Sequence, residues 1–404
     1  MVKARWNVPA AVRGPLAAYA VGFWEELVGQ GYAPRSAETH LLLMARMSRW
    51  MELVTLKPAD LDAGRVDEFM ALSHDTGAHF PKSVTGVAPL LDFLRGLGVV
   101  PLPSVAPLSA GEELLARFGS YLRHERGLAD GTIVNHVHVA RVFIRTMADA
   151  DVQDLEALSV ADVNGFVVAE CRERTIASAK NLVTGLRALL RFLHVEGITP
   201  ISLSGAVPTV SGWTGGGLPR GVDAVSVTRL LAGCDRRTVK GRRDFAILMI
   251  LTRLGLRAGE VVALEMGDLD WPRGEVLVRG KARRMERMPL PADVGEAIAA
   301  YLCRGRPVNG DSALFLRVVA PQRRITVGGI SVIVHAACAR AGIAPIATHR
   351  LRHTVASELL RRGAGLSEIG QVLRHRSHAS TARYAKVDTE SLRQLARPWP
   401  GSAS

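Results

Sequence analysis

Four short segments in the second half of the chain concentrate the side chains able to do chemistry: GLRAGE from Gly255, GKARRM from Gly280, THRLRHT from Thr348 and LRHRSHASTARYAKVD from Leu373. Arg257 and Glu260 stand three residues apart, which puts them on one helix face, where the carboxylate can orient the guanidinium without using all its donors. For these two alone, a surface ion pair worth about 0.3–0.5 kcal/mol is the plainer reading. Lys281 falls at the tip of an expected hairpin beside Arg279, Arg283, Arg284 and Arg287. So basic a loop fits a phosphate-contacting edge, and crowding by cations also lowers a lysine's pKa, which suits it to give up a proton. His349, Arg352 and His353 share one face if a helix begins near His349. Histidines four apart can also share an ion, but no acidic or cysteine ligand is near and Arg352 would repel it, so no metal site is expected. His375 and Tyr384 are nine residues apart, too far for one helix face unless a turn intervenes. The SHAST stretch supplies that turn, with an N-cap at Ser377 or Ser380. Alone, Tyr384 fits a half-buried aromatic better than a nucleophile.

The set is more specific than its members. Breaking a phosphodiester without a metal requires a nucleophile, cationic donors for the nonbridging oxygens of the pentacoordinate transition state, and an acid for the leaving oxygen. Tyr384, the pair Arg257 and Arg352, the pair His349 and His375, and Lys281 fill those roles with none left over.

The elements that must position these residues are mostly helical. RRDFAILMILTRLGLRAGEVVAL reads as helix from about Arg243, and EVLVRG from Glu275 and RMPLP from Arg287 read as two short strands around the basic turn. Helical patterning resumes from Thr348. The expected fold is therefore mainly α with a small β-sheet, an α+β arrangement.

Two Pro/Gly/Ser-rich stretches, Val99–Ala110 and Ser202–Gly221, punctuate the chain, and the second reads as an interdomain linker. Upstream of it lies a repeat. GYAPRSAETH at Gly31 matches GLADGTIVNH at Gly127, LKPADLD at Leu56 matches LSVADVN at Leu158, and FLRGLGVVP at Phe93 matches FLHVEGITP at Phe192. Apolar residues recur at helical spacing in each copy, as in LVTGLRALLRFL from Leu182, so each is expected to be a bundle of about four helices. The expected domains are 1–105, 106–205, a linker over 206–218, and 219–404 with a short C-terminal tail.

Charge follows the same division. Lys and Arg stand against Asp and Glu as 10 to 10 over residues 1–105, 10 to 12 over 106–205, and 31 to 16 over 206–404. The net charge of +13 therefore lies wholly in the last half, carried mostly by Arg, whose planar fork grips phosphate with two hydrogen bonds. That favours a polyanionic partner without choosing among RNA, DNA and anionic lipid. Four cysteines without a C-x-x-C pair argue against a zinc site or a disulfide framework. No apolar run approaches the roughly 20 residues a bilayer requires, and AAYAVGFW near the start runs straight into Glu25 and Glu26, so a cytoplasmic protein is expected.

The segment from about Leu218 to Val387 resembles the catalytic domain of the tyrosine recombinase (phage integrase) family. That family shows an arginine in a G-L-R-x-x-E helix start, a lysine in a G-K hairpin turn, an H-x-L-R-H box, an L-G-H box, and a tyrosine nine residues after that last histidine. Here GLRAGE, GKARRM, HRLRH, LRH and STARY follow in that order with the final spacing kept. The resemblance implies that Tyr384 attacks the scissile phosphate to give a 3'-phosphotyrosyl link and a free 5'-hydroxyl. It implies that Arg257 and Arg352 stabilise the phosphorane, that His349 and His375 hydrogen-bond to it or shuttle protons, and that Lys281 protonates the departing oxygen. Glu260 and His353 are expected to support them. Arg279, Arg283, Arg284, Arg287, Arg374 and Arg376 are expected to touch DNA, and no cofactor is implied. Arg374 departs from the family, standing where glycine usually precedes the histidine. If that position is left-handed, a residue with a Cβ costs about 1 kcal/mol there.

The unit from Gly111 to Pro200 is similar to the helical core-binding domain that precedes the family's catalytic domain, and the unit from about Leu16 to Pro101 resembles that domain again. The implied activity is site-specific recombination of double-stranded DNA by a tetramer, through a Holliday junction, with companion recombinases a further possible partner and a mobile element the favoured setting. An inactive, DNA-binding accessory protein is the alternative.

Overall fold

The computed structural model describes residues 12–75, 84–102, 109–147, 152–211, 221–280, 285–374 and 381. Contacts divide the chain into two units, one of residues 104–216 and one of residues 1–103 with 217–404. Three separate apolar cores lie within them.

The first core is enclosed by α1 (Ala20–Gly29), α2 (Pro34–Leu53), α3 (Ala63–Asp75) and α4 (Val84–Gly96). The second is enclosed by α5 (Ala110–His124), α6 (Asp130–Met147), α7 (Val160–Cys171) and α8 (Ile176–Val195). Side-chain caps start some of these helices. Ser109 accepts the Glu112 N–H at the head of α5, and Ser159 with Asp162 makes a reciprocal box at the head of α7.

The two bundles place matching repeat residues in matching roles. Phe93 lies 5.3 Å from Phe23, and its counterpart Phe192 lies 5.3 Å from Phe118, so in each copy the last helix meets the first through an aromatic contact, to which the second copy adds Tyr121 at 5.3 Å from Phe192. Gly31 and Gly127, and likewise Gly98 and Gly197, all have positive φ, the left-handed conformation that glycine adopts without strain. Turn chemistry as well as helical pattern is therefore duplicated.

The third core gathers α9 (Ala224–Ala232), α10 (Val239–Met249), α11 (Ala258–Ala263), α12 (Ala292–Arg304), α13 (Val327–Ala341) and the start of α14 (Thr348–Arg361); α15 (Leu366–Val372) packs on α14 in a smaller cluster. Three antiparallel strands, β1 (Leu269–Asp270), β2 (Glu275–Arg279) and β3 (Met285–Pro289), complete it in the order β1-β2-β3, with Leu277 opposite Arg287. The chain is thus mainly helical with one small sheet, as its patterning indicated.

Two details differ from expectation. The helix expected from Arg243 through Leu264 is broken: α10 runs into a π turn at Ile250–Leu254, and Gly255 at φ 59° ends it. A Cβ there would lie 3.0 Å from Leu373 Cδ2, so close packing as well as backbone favours glycine. β1 was also not anticipated, since two residues carry no readable alternation. Among the described residues no helix is long and apolar enough to cross a membrane.

Candidate active site

The break at Gly255 decides how Arg257 is presented. Arg257 is not within a helix but is the extended N-cap of α11, at φ −74° and ψ 151°. Glu260 closes a cap on it, accepting the Arg257 backbone N–H at 2.8 Å on Oε2 and the Arg257 guanidinium at 2.6 Å on Oε1. The expected face-sharing pair is therefore a capping pair, which fixes the arginine's backbone as well as its side chain. Arg257 remains 44% exposed while Glu260 is 5% exposed, so a buried carboxylate holds an accessible cation.

Arg352 enters from α14 and is buried. Its Nη1 donates to the Gly255 carbonyl at 2.7 Å and lies 3.9 Å from Glu260 Oε2, and its Nη2 donates to the Leu373 carbonyl. One guanidinium thereby ties the turn before Arg257 to the end of α15. His349 and His353 lie one turn apart on α14, with rings edge to face at 5.5 Å, so the HRLRH box does form a single helix face. His349 is exposed and His353 half-buried.

Arg374 follows α15 with φ 52°, the left-handed conformation that the usual glycine suggested. Its side chain turns inward. Nη2 lies 2.8 Å from Glu260 Oε2, while Nη1 lies 2.7 Å from Met288 Sδ on β3 and 3.2 Å from the Val372 carbonyl. Glu260 thus faces three guanidiniums, those of Arg257, Arg352 and Arg374. Burial works to raise its pKa, but the Arg257 N–H, the Arg374 charge and the Arg257 guanidinium outweigh it and hold the carboxyl below its ordinary value. The sequence did not reveal this convergence; its one signal was an arginine in glycine's place.

The other basic residues stand differently. Arg279 on β2 is ion-paired to Asp268 and lies 3.9 Å from Glu265, which also accepts from Arg324 at 3.1 Å. Arg287 lies 3.6 Å from Asp270 and 3.4 Å from Glu275, half-exposed. Lys281, Arg283, Arg284, His375, Arg376 and Tyr384 lie outside the described residues. Thr381, three residues before Tyr384, is buried, and a Cβ on Gly370 of α15 would lie 3.1 Å from its Oγ1. Among the described residues no group of His, Cys, Asp and Glu could hold a metal ion.

Known proteins resemble this chain in sequence and fold. The model of the phage integrase family covers residues 222–391, and that of the phage integrase N-terminal SAM-like domain covers residues 115–197. A putative integrase/recombinase, y4rA, from Sinorhizobium fredii is 39% identical over 100% of this chain and 99% of its own length. The chain belongs to the tyrosine recombinase (phage integrase) family. Tyrosine recombinase XerD of Mycobacterium tuberculosis is 30% identical over 72% of this chain and 97% of its own length. Among solved folds of the family, XerH site-specific recombinase bound to a palindromic difH substrate matches at TM-score 0.57 and 18% identity, over 73% of this chain and 99% of that one. A lambda integrase dimer bound to a core site matches at TM-score 0.53 and 17% identity, over 68% of this chain and 76% of that one. These last two are likenesses of fold. The family model spans every segment in which the chemistry was expected, from GLRAGE to STARY.

Proposed function

We propose that this chain is a site-specific DNA recombinase that cuts and rejoins duplex DNA through a 3'-phosphotyrosyl intermediate. The observation that carries the reading is the buried Glu260 carboxylate surrounded by three guanidiniums, two of them at the family's arginine positions. A cation surplus held by one carboxylate is an anion site, and the accessible Arg257 is its open side.

In the proposed reaction the Tyr384 oxygen attacks the scissile phosphorus, the bond to the 5'-oxygen breaks, and Lys281 supplies the proton that this oxygen takes. The tyrosine's own proton leaves through His349 or His375. Arg257 and Arg352 hold the nonbridging oxygens while charge builds on them. Attack by the 5'-hydroxyl of a second strand reverses each step and frees Tyr384, and two such exchanges pass through a Holliday junction. The phosphotyrosyl bond keeps the energy of the original linkage, so rejoining requires no nucleotide hydrolysis.

The same reading includes a tetramer on two DNA sites, supported by a lambda integrase tetramer bound to a Holliday junction, whose fold matches at TM-score 0.53 and 16% identity. It includes a cytoplasmic setting, service to a mobile element, and the exposed Arg287 of the β2–β3 hairpin on the phosphate backbone. Residues 219–404 act as the catalytic domain, 106–205 as the core-binding clamp, and 1–105 as an accessory unit.

The test is to express the full chain, denature the cells in detergent, and sequence the DNA that remains covalently attached. Wild type should trap a defined site, and Tyr384→Phe should bind that site equally and trap nothing. An undiminished adduct in Tyr384→Phe would sink the assignment of the nucleophile.

A further inference from the structure

Arg374 occupies a costly position. Of the described residues other than glycine, only it and Thr55 have positive φ. Its side chain is 6% exposed, and its Nε–H meets no acceptor among the described residues. A left-handed backbone with a Cβ, a buried guanidinium and an unmet N–H all disfavour an arginine here. Backbone strain of this kind, once observed, asks what it maintains.

The guanidinium does not reach into solvent but turns inward. It lies 2.8 Å from Glu260 Oε2, the oxygen that also accepts the Arg257 N–H and faces Arg352, while the Arg257 guanidinium holds Oε1. Its other nitrogen touches Met288 on β3, a strand of the hairpin that carries Lys281. The next residue in the chain is His375. One side chain therefore touches the GLRAGE cap and the lysine hairpin, and its own backbone leads into the histidine.

We infer that Arg374 is a positioning residue of the phosphate site: it neutralises Glu260 on the inner side, so that Arg257 and Arg352 keep their orientation yet present undiminished charge to the scissile phosphate. Glycine at this position frees the turn but leaves the carboxylate to its two catalytic neighbours alone. Because Glu260 would then draw more fully on Arg257, cleavage should slow without loss of DNA affinity. The inference rests on the recombinase reading and names a further residue of the same site.

The test uses the full chain and the DNA site recovered by covalent trapping. Arg374→Gly relieves the left-handed strain, so folding is retained, and single-turnover cleavage of bound DNA should fall about tenfold to a hundredfold, the scale of losing an outer partner that orients reacting groups. Affinity for the site and its dependence on salt should not change. Millimolar guanidinium should restore much of the rate to Arg374→Gly and none to Arg257→Ala. Cleavage by Arg374→Gly at or above the wild-type rate overturns the inference. So does a loss without guanidinium rescue, and so does a loss confined to DNA affinity. An independent arm needs no catalysis: in urea unfolding, Arg374→Gly should shift the midpoint differently in wild type and in Glu260→Gln, and additive shifts would refute the pairing. Absence of any adduct from wild type would condemn the recombinase reading instead, while the unfolding cycle still judged the pair.

Discussion

Two buried carboxylates eight residues apart make an instructive pair. Glu260 and Asp268 each close a cap at the start of a short helical turn, on Arg257 and Glu265 respectively, and each meets at least one arginine brought in from another element. Around Asp268 the described charges balance: Asp268 and Glu265 stand with Arg279 and Arg324. Around Glu260 they do not, since one carboxylate stands with Arg257, Arg352 and Arg374. A balanced cluster is complete within the protein. A cationic surplus in a partly buried place is unfavourable until an anion arrives, so the imbalance separates a site from a brace.

That contrast can be broken by experiment. The largest effect belongs to the open side of the surplus: Arg257→Ala should lower single-turnover cleavage by about 10²–10³, the loss of one oriented donor to a developing oxyanion, with DNA affinity little changed. A drop below tenfold would place the phosphate elsewhere. At the balanced cluster the expectation reverses. Asp268→Ala should destabilise the chain by about 1–3 kcal/mol, through the unpaired Arg279 and the lost cap, while cleavage per folded molecule stays within about twofold. If its cleavage fell as far as that of Arg257→Ala, the two clusters could not differ in kind. The smallest effect is in pH dependence. Because the Glu260 pKa is depressed on folding, its contribution to stability is whole above the ordinary value of 4.5 and is lost as pH falls through the folded value. Glu260→Gln should therefore be less stable than wild type at pH 7, with a gap that narrows below pH 4.5, read as urea midpoints across the acid range. A constant gap would mean that the carboxylate is not ionised against its arginines.

Much of this organisation was legible in the sequence because it is local. Helical spacing foretold both bundles, and the matched repeat segments contain the residues, Phe93 and Phe192 with their glycines, that take the same roles in the two copies. The HRLRH spacing foretold a helix face bearing His349, Arg352 and His353, and the family's glycine foretold the backbone at Arg374. What was not legible depends on residues far apart in the chain. Arg374 meets Glu260 across 114 residues, and no periodicity encodes such a contact. Arg279 looked like part of a DNA-facing edge because its sequence neighbours are basic, yet its partners Asp268 and Glu265 come from the turn before β1. The continuous helix expected through GLRAGE failed at a single glycine, since a run of good helix formers hides a stop that packing against Leu373 enforces. Lys281, His375 and Tyr384 were assigned by motif and spacing, and lie outside the described residues.

The long reach of Arg352 has a consequence in time. It closes onto the Gly255 carbonyl across 97 residues and onto the Leu373 carbonyl from the opposite direction. Domains fold as they emerge from the ribosome, N-terminal parts first. A nascent chain that has already made both helical bundles and the Arg257 cap still lacks Arg352, and with it the bond that joins the two ends of the site. The helical bundles can therefore be complete while the chain is still unable to cut, and the capacity to break DNA waits on the emergence of α14 and α15.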